Sequence, residues 1–122
     1  MNKLKNNIQL IGNVGEDPDI TNLENERKKA RFSLATNELF KNAQGDKVKR
    51  TYWHTIVAWG KVAEIIEKYV RKGKEIAIEG KLASRSYKDK EGVKHYVSEV
   101  IVSEILLLGN IENNQKIDEN AL

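Results

Sequence analysis

The feature that most constrains this chain is a single change of hydrophobic period. Through most of the sequence apolar and polar residues alternate, the two-residue repeat of a half-buried strand. Over residues 62–70 the repeat becomes helical. Val62, Ile65, Ile66, Tyr69 and Val70 fall at i, i+3, i+4, i+7 and i+8, one stripe of a short amphipathic helix. Gly73 is the expected stop, with Arg71 and Lys72 in the final turn, where cations suit the helix dipole.

Before that stripe lie three strands. Residues 8–14 place Ile8, Leu10, Gly12 and Val14 on one face, and a glycine inside a strand marks a bend or a close backbone approach. Asp17-Pro18 is a turn signal, followed by a short extended piece around Ile20 to Leu23. Residues 29–40 turn Ala30, Phe32 and Leu34 one way and Arg31 and Ser33 the other. A hairpin loop at 42–46, containing Gly45, leads into a long strand at 48–59. Its two tryptophans, Trp53 and Trp59, project from one side about 20 Å apart. Thr51, Thr55 and Val57 share that side; Tyr52, His54, Ile56 and Ala58 take the other. After the helix, residues 75–88 return to strand, with Ile76, Ile78 and Leu82 in register around Gly80. Asp89-Lys90-Glu91-Gly92 forms a hairpin turn and residues 93–108 the last strand.

Three strands, one helix and two strands, with long strands interrupted by Gly12 and Gly80, is the order of an OB-fold. That is an all-β fold, a five-stranded Greek-key barrel with one short helix between strands three and four. Other small α+β folds share the order. The chain has 122 residues, enough for one core. Patterning stops after Leu108, so residues 1–108 read as one domain and 109–122 as a short flexible tail.

Composition removes several classes of chemistry. There is no cysteine, which excludes disulfides, thiolate catalysis and Cys-based zinc sites. With two histidines, His54 and His95, a multi-histidine metal site is implausible, and neither a metal nor a cofactor is expected. The longest apolar runs are four residues, at 56–59 and 105–108, far below the roughly 20 that span a bilayer. Residues 1–7 carry charge but no apolar core, so no signal peptide is read there, and the expected location is the cytoplasm. The formal net charge is +3; the tail sets one lysine against three acids, which leaves +5 on residues 1–108. The positive charge sits on the folded part and leans towards an anionic partner.

No constellation for catalysis emerges. Gly60-Lys61, Gly73-Lys74 and Gly80-Lys81 all lack the phosphate-loop pattern. Glu16, Asp17 and Asp19 crowd around Pro18 and read as a solvated turn before a cation site. His54 has no nucleophile or carboxylate near it in sequence and reads as a structural or interface histidine before a general base. Gly12-Asn13-Val14-Gly15 matches the G-x-x-G loop of KH domains, but the flanking strand pattern does not.

The stronger signal is aromatic residues interleaved with cations. Phe40 precedes Lys41; Trp53 and Trp59 follow Lys47, Lys49 and Arg50 and precede Lys61; Tyr87 lies between Arg85 and Lys88. Unpaired bases stack on such rings while the cations neutralise phosphates. Burial in the core is the competing reading for the tryptophans, exposure is favoured for Tyr87, and Tyr69 on the helical stripe is read as packing. The run Arg27-Lys28-Lys29 reads as a solvated loop, with phosphate contact unforced.

Six segments in order carry a family resemblance: residues 7–18 (NIQLIGNVGEDP), 32–38 (FSLATNE), 51–54 (TYWH), 59–64 (WGKVAE), 69–73 (YVRKG) and 78–82 (IEGKL). With them the sequence resembles the bacterial single-stranded DNA-binding proteins of the replicative type, with one OB-fold per chain, from about residue 7 to 108. The resemblance implies base stacking on Phe40, Trp53, Trp59 and Tyr87. Phe40 and Tyr87 depart from the commoner Trp, and Trp59 replaces a usual Phe. It implies basic positions along the DNA path at Lys61, Lys72 and Arg85, to which Arg31 and Lys49 are added as candidate contacts. A homotetramer is implied, with residues 7–14 in the assembly and Asn7, Ile8, Leu10 and His54 at subunit contacts.

The implied function is non-catalytic binding of single-stranded DNA without strong sequence preference, protecting it in replication, recombination and repair. The family's acidic, Phe-ended tip is missing from the tail, so recruitment of replication and repair proteins is not expected. The rival readings are an OB-type RNA-binding or nucleic-acid chaperone module, and a protein-interaction subunit of a replisome.

Overall fold

Two long hairpins organise the fold, and the same turn chemistry makes both. The computed structural model describes residues 5–108. In chain order it contains β1 (Ile8–Val14), β2 (Asp19–Asn22), a 3-10 turn (Glu24–Glu26), β3 (Lys28–Lys41), β4 (Lys47–Trp59), α1 (Gly60–Tyr69), β5 (Glu75–Lys88) and β6 (Lys94–Leu107). The β3–β4 hairpin pairs from Lys29↔Trp59 to Lys41↔Lys47, and the β5–β6 hairpin from Ile76↔Leu107 to Lys88↔Lys94. At the first tip the Asn42 Oδ1 accepts the N–H groups of Gln44 and Asp46, each at 3.0 Å. At the second the Asp89 Oδ1 accepts those of Glu91 and Val93, each at 2.9 Å. Gly45 and Gly92 follow at φ 85° and 83°, a left-handed conformation that a side chain would strain.

β1 closes the sheet. It pairs with β5 from Ile8↔Gly80 to Asn13↔Glu75 and with β3 at Asn13↔Ala35 and Val14↔Leu34. β4 and β6 add a short parallel pair at Ile56↔Val100 and Val57↔Ile101. The ring β1–β3–β4–β6–β5–β1 is a closed five-stranded barrel, the OB-fold expected from the sequence. The sixth strand, β2, pairs only with β3 and stands outside the ring, so the expected three-one-two order holds for the barrel strands. Both interior glycines mark close approaches. A methyl group on Gly12 would lie 2.2 Å from the Ala35 carbonyl oxygen, and one on Gly80 would lie 2.1 Å from that of Ile101. At Gly80 the β5–β6 register also shifts by one, and the Ser103 Oγ donates to the Glu79 carbonyl at 3.1 Å.

The core follows the alternation. Ala30, Phe32 and Leu34 on β3, Ile56 and Ala58 on β4, and Ile76 and Ile78 on β5 all point inward and are buried. Helix α1 caps one end of the barrel with Ala63 and Ile66, and Val70 just beyond it is equally buried. Each buried Val, Leu, Ile or Phe among them stabilises the fold by about 1.5–3 kcal/mol. Three details differ from the sequence expectation. The helix ends at Tyr69 rather than near Gly73, and the Arg71 guanidinium donates to the carbonyls of Glu67 (2.8 Å) and Val70 (2.7 Å) there. Tyr69 is exposed rather than packed, whereas Ala63 is buried. Leu82, past the shift at Gly80, is exposed. Among the described residues no helix is long and apolar enough to cross a membrane.

Candidate nucleic-acid interface

Register decides which side chains share a face. Directly opposed residues of an antiparallel pair lie on the same side, so Ala35↔Trp53, Arg31↔Val57 and Lys29↔Trp59 define the outer face of the β3–β4 hairpin. Trp53, Trp59, Arg31 and Lys49 all belong to it. Trp53 is 61% exposed, which settles its place on the surface rather than in the core. Its ring edge rests against Gly15, and Ala35 opposite it is buried although it faces outward. Trp59 is half-buried and carries two cations: Arg27 Cζ is 4.6 Å and Lys29 Nζ 5.3 Å from the ring centroid. Lys61 is exposed at the start of α1, two residues from Trp59.

Phe40 is not on that face. It opposes Val48, and the count from Trp53 puts it on the other side of the hairpin together with Arg50 and Tyr52. The Arg50 guanidinium lies 4.7 Å from the Phe40 centroid and donates to the Tyr52 hydroxyl at 3.5 Å. That hydroxyl raises the already high pKa of Arg50.

The second hairpin carries Tyr87, which is 46% exposed and stacked on His95 with centroids 5.2 Å apart. The His95 ring is held in turn by Asp89 at 2.8 Å. This hydrogen bond, and secondly the one from the Val93 N–H, holds the Asp89 carboxyl below its ordinary pKa. Arg85 pairs with Glu99 at 3.2 Å and sits 5.9 Å from the Tyr87 centroid. Glu99 is only 7% exposed, so much of the Arg85 charge answers a buried carboxylate. Tyr96, at 73% exposure with Lys94 Nζ 5.5 Å from its ring, faces the other side of the hairpin from Tyr87.

The remaining expected residues fall elsewhere. Lys72 is exposed after α1, and its backbone N–H donates to the Asp17 carboxylate at 2.8 Å, which gives the acidic turn around Pro18 a structural task. His54 opposes Leu34 on the face of the β3–β4 hairpin away from Trp53 and shares a hydrogen bond of 2.9 Å with the Thr36 hydroxyl. Asn7 donates to Glu79 at 3.2 Å and Gln9 to the same carboxylate at 3.1 Å. Ile8 and Leu10 turn inward against the core; the outward apolar residue of β1 is Ile11, 62% exposed, beside Ile105 and Leu106 in a shallow groove. The sequence reading did not single out Tyr96 or the contact of Gly15 with Trp53, and it took Arg27 and Lys29 for a solvated run. For Arg27 and Lys29 the signal was present as a basic run, but its target was not.

The model of the single-strand binding protein family matches residues 5–108. Two curated relatives are both named single-stranded DNA-binding protein 1. The one from Xylella fastidiosa is 40% identical over 92% of this chain and 83% of its own length. The one from Chlorobaculum tepidum is 42% identical over 85% of this chain, which spans 65% of that relative's length. Among solved structures, a Plasmodium falciparum SSB in complex with ssDNA superposes with a TM-score of 0.79 at 36% identity, covering 89% of this chain and all of that one. The single-stranded DNA binding protein of Thermus aquaticus superposes with a TM-score of 0.76 at 24% identity, covering 87% of this chain and 51% of that one, a likeness of fold. With a family model matched across the whole barrel and relatives at 40% identity, this chain belongs to the single-strand binding protein family.

Proposed function

We propose that this chain binds single-stranded DNA without strong sequence preference, stacking bases on exposed rings and neutralising phosphates with the cations beside them. The observation that carries this reading is the outer face of β3–β4, where Trp53 and Trp59 share one surface with Lys29, Arg31 and Lys49. Stacking contributes about 1–3 kcal/mol per base and accepts any base, because each has a π-face. Each neutralised phosphate releases counterions, which makes binding salt-dependent. Phe40 and Tyr87 add stacking sites on the two hairpins, Lys61 and Lys72 add charge, and Arg85 chiefly positions Tyr87 and the buried Glu99. The relatives' names and the DNA-bound structural neighbour support the same ligand.

The reading is of a non-catalytic protein that sequesters single strands in the cytoplasm, at the nucleoid, during replication, recombination and repair. It assembles as a homotetramer. The exposed Ile11 and Leu106 on the outer face of β1 and β6 support that assembly, with Ile8 and Leu10 packed beneath and Asn7 and His54 at its margins. The tail at 109–122, read as lacking a recruiting tip, lies outside the described residues.

Titration of tryptophan fluorescence with oligo(dT), at low and high salt, tests the reading. Strong saturable quenching that weakens with salt is expected. Absence of quenching at low salt, with no binding in a gel-shift assay, sinks it. Competition with a matched RNA oligomer separates DNA preference from general single-strand binding.

A further inference from the structure

The two cations on Trp59 extend one of the expected DNA contacts. Arg27 stands just before β3 with an extended backbone (φ −81°, ψ 131°), so strand alternation carries through it. Arg27, Lys29 and Arg31 therefore project to one side, in a row whose members stand about 7 Å apart. The intervening Lys28 points the other way and pairs with Glu67 on α1. The row is fixed at its free end: the Arg27 carbonyl accepts the Leu23 N–H at 2.7 Å, which closes the turn over Glu24–Glu26. Lys29 is anchored by its pairing with Trp59.

Two cations on one ring is an unbalanced arrangement. Each is attracted to the indole face, but they repel each other, and among the described residues neither stands in an ion pair. An anion between them removes that repulsion, and the ring beside them offers a stacking surface. A phosphodiester with its attached base supplies both partners at once.

We infer that Arg27, Lys29 and Trp59 form one nucleotide subsite, in which the phosphate lies in the fork of Arg27 and Lys29 and the base stacks on the indole. The DNA path then continues past Trp59 towards the Glu24–Glu26 turn rather than ending at the base of β4. This inference rests on the proposed single-strand binding.

The test uses the full chain and oligo(dT), with affinity measured across a range of salt. The R27Q/K29Q variant removes both charges, one from exposed Arg27 and one from half-buried Lys29, and its thermal melt establishes that it folds. Each neutralised phosphate contributes about 0.7 to the slope of log affinity against log salt for a single strand, so losing the one phosphate held by both cations is expected to lower the slope by about 0.7. R27K, which keeps the charge, should retain most of the slope. In a W53F background Trp59 is the only tryptophan, and its quenching by oligo(dT) should shift to higher oligomer concentration in R27Q/K29Q. Wild-type binding with an unchanged slope in the double variant overturns this subsite alone. So does tighter binding, because the cations would then merely cover the ring. No oligo(dT) binding by the wild type overturns the subsite and the underlying function together.

Discussion

The Trp53 indole stands where a side chain at Gly15 would have to go. A methyl group on Gly15 would lie 2.4 Å from Trp53 Cζ3 and 2.6 Å from the Ser33 Oγ. A bare backbone thus supports one edge of a ring that is otherwise 61% exposed. Gly15→Ala must push the indole off this support, and an exposed ring can swing away at small cost to the fold. The expected outcome is a near-normal melting temperature with oligo(dT) affinity weakened by at most one base stack, about 1–3 kcal/mol. A shifted tryptophan emission maximum should accompany it. Unchanged emission and affinity would show that the Gly15 contact does not position the ring.

Gly12→Ala and Gly80→Ala should behave in the opposite way. Their added methyl groups meet backbone carbonyl oxygens at 2.2 and 2.1 Å, which no rotamer change relieves. Strand β1 must then separate from β3 where the barrel closes, or β5 from β6 at the register shift within their hairpin. A cost of about 1–3 kcal/mol or more is expected. For a domain of roughly 100 residues that lowers the melting temperature by about 4–8 °C per kcal/mol. Thermal melts followed by circular dichroism decide it, and a wild-type melting temperature would contradict the close approach.

These glycines were legible in the sequence as bends or close approaches because each interrupts a strand of alternating residues. The barrel strands, both hairpin turns and the helix were legible for the same reason: each is written in a local period or a local turn. What was not legible depends on register between distant segments. Alternation on β3 and on β4 fixes two faces for each strand, but which faces coincide depends on how the loop at 42–46 joins them. Hence Phe40 was grouped with Trp53, although pairing places it on the other face. Arg27 and Lys29 read as a solvated run because their target, Trp59, lies 30 residues beyond Lys29 and meets it only through that register. On β1, alternation put Ile8 and Leu10 on one face without saying which way that face points; the structure turns it to the core and leaves Ile11 outward.

The opposite placement of Phe40 and Trp53 predicts a dependence on oligomer length. A short oligomer of roughly 4–6 nucleotides, near the lower limit for one OB-fold, is expected to occupy the Trp53–Trp59 face alone. Phe40→Ala should leave its affinity unchanged, whereas Trp53→Ala should weaken it by about 1–3 kcal/mol. A strand long enough to cross the hairpin edge should be weakened by both substitutions. Equal losses from Phe40→Ala with short and long oligomers would contradict the two-faced hairpin.

The Asp89–His95 contact predicts a pH response at the tip of the second hairpin. Asp89 has its pKa lowered in the folded chain, first by the His95 hydrogen bond and then by the Val93 N–H. A carboxyl with a lowered folded pKa contributes stability above its unfolded value, and the contribution is lost as pH falls through the folded one. The contact is therefore complete at neutral pH and fails only on acidification below the ordinary aspartate range. NMR titration should find the Asp89 carboxyl carbon titrating below the exposed aspartates. The His95 and Tyr87 ring resonances should shift with it, since the two rings stack at 5.2 Å. An Asp89 that titrates with the exposed aspartates would remove this account.

Arg85 separates charge that serves the ligand from charge that serves the fold. Its guanidinium meets Glu99, a carboxylate only 7% exposed, at 3.2 Å. Arg85→Gln leaves that carboxylate without its ionic partner, and an unsatisfied buried group costs about 1–3 kcal/mol, less where water reaches it past the half-exposed arginine. The substitution should therefore lower the melting temperature while reducing the salt slope of oligo(dT) binding by less than the roughly 0.7 of a full phosphate contact. Lys49→Gln, on the exposed Trp53 face, should do the reverse, with a reduced slope and an unchanged melting temperature. Adding Glu99→Gln to Arg85→Gln should recover much of the lost stability, because the amide carries no charge to bury. A full loss of slope in Arg85→Gln with a wild-type melting temperature would instead make Arg85 a direct phosphate contact.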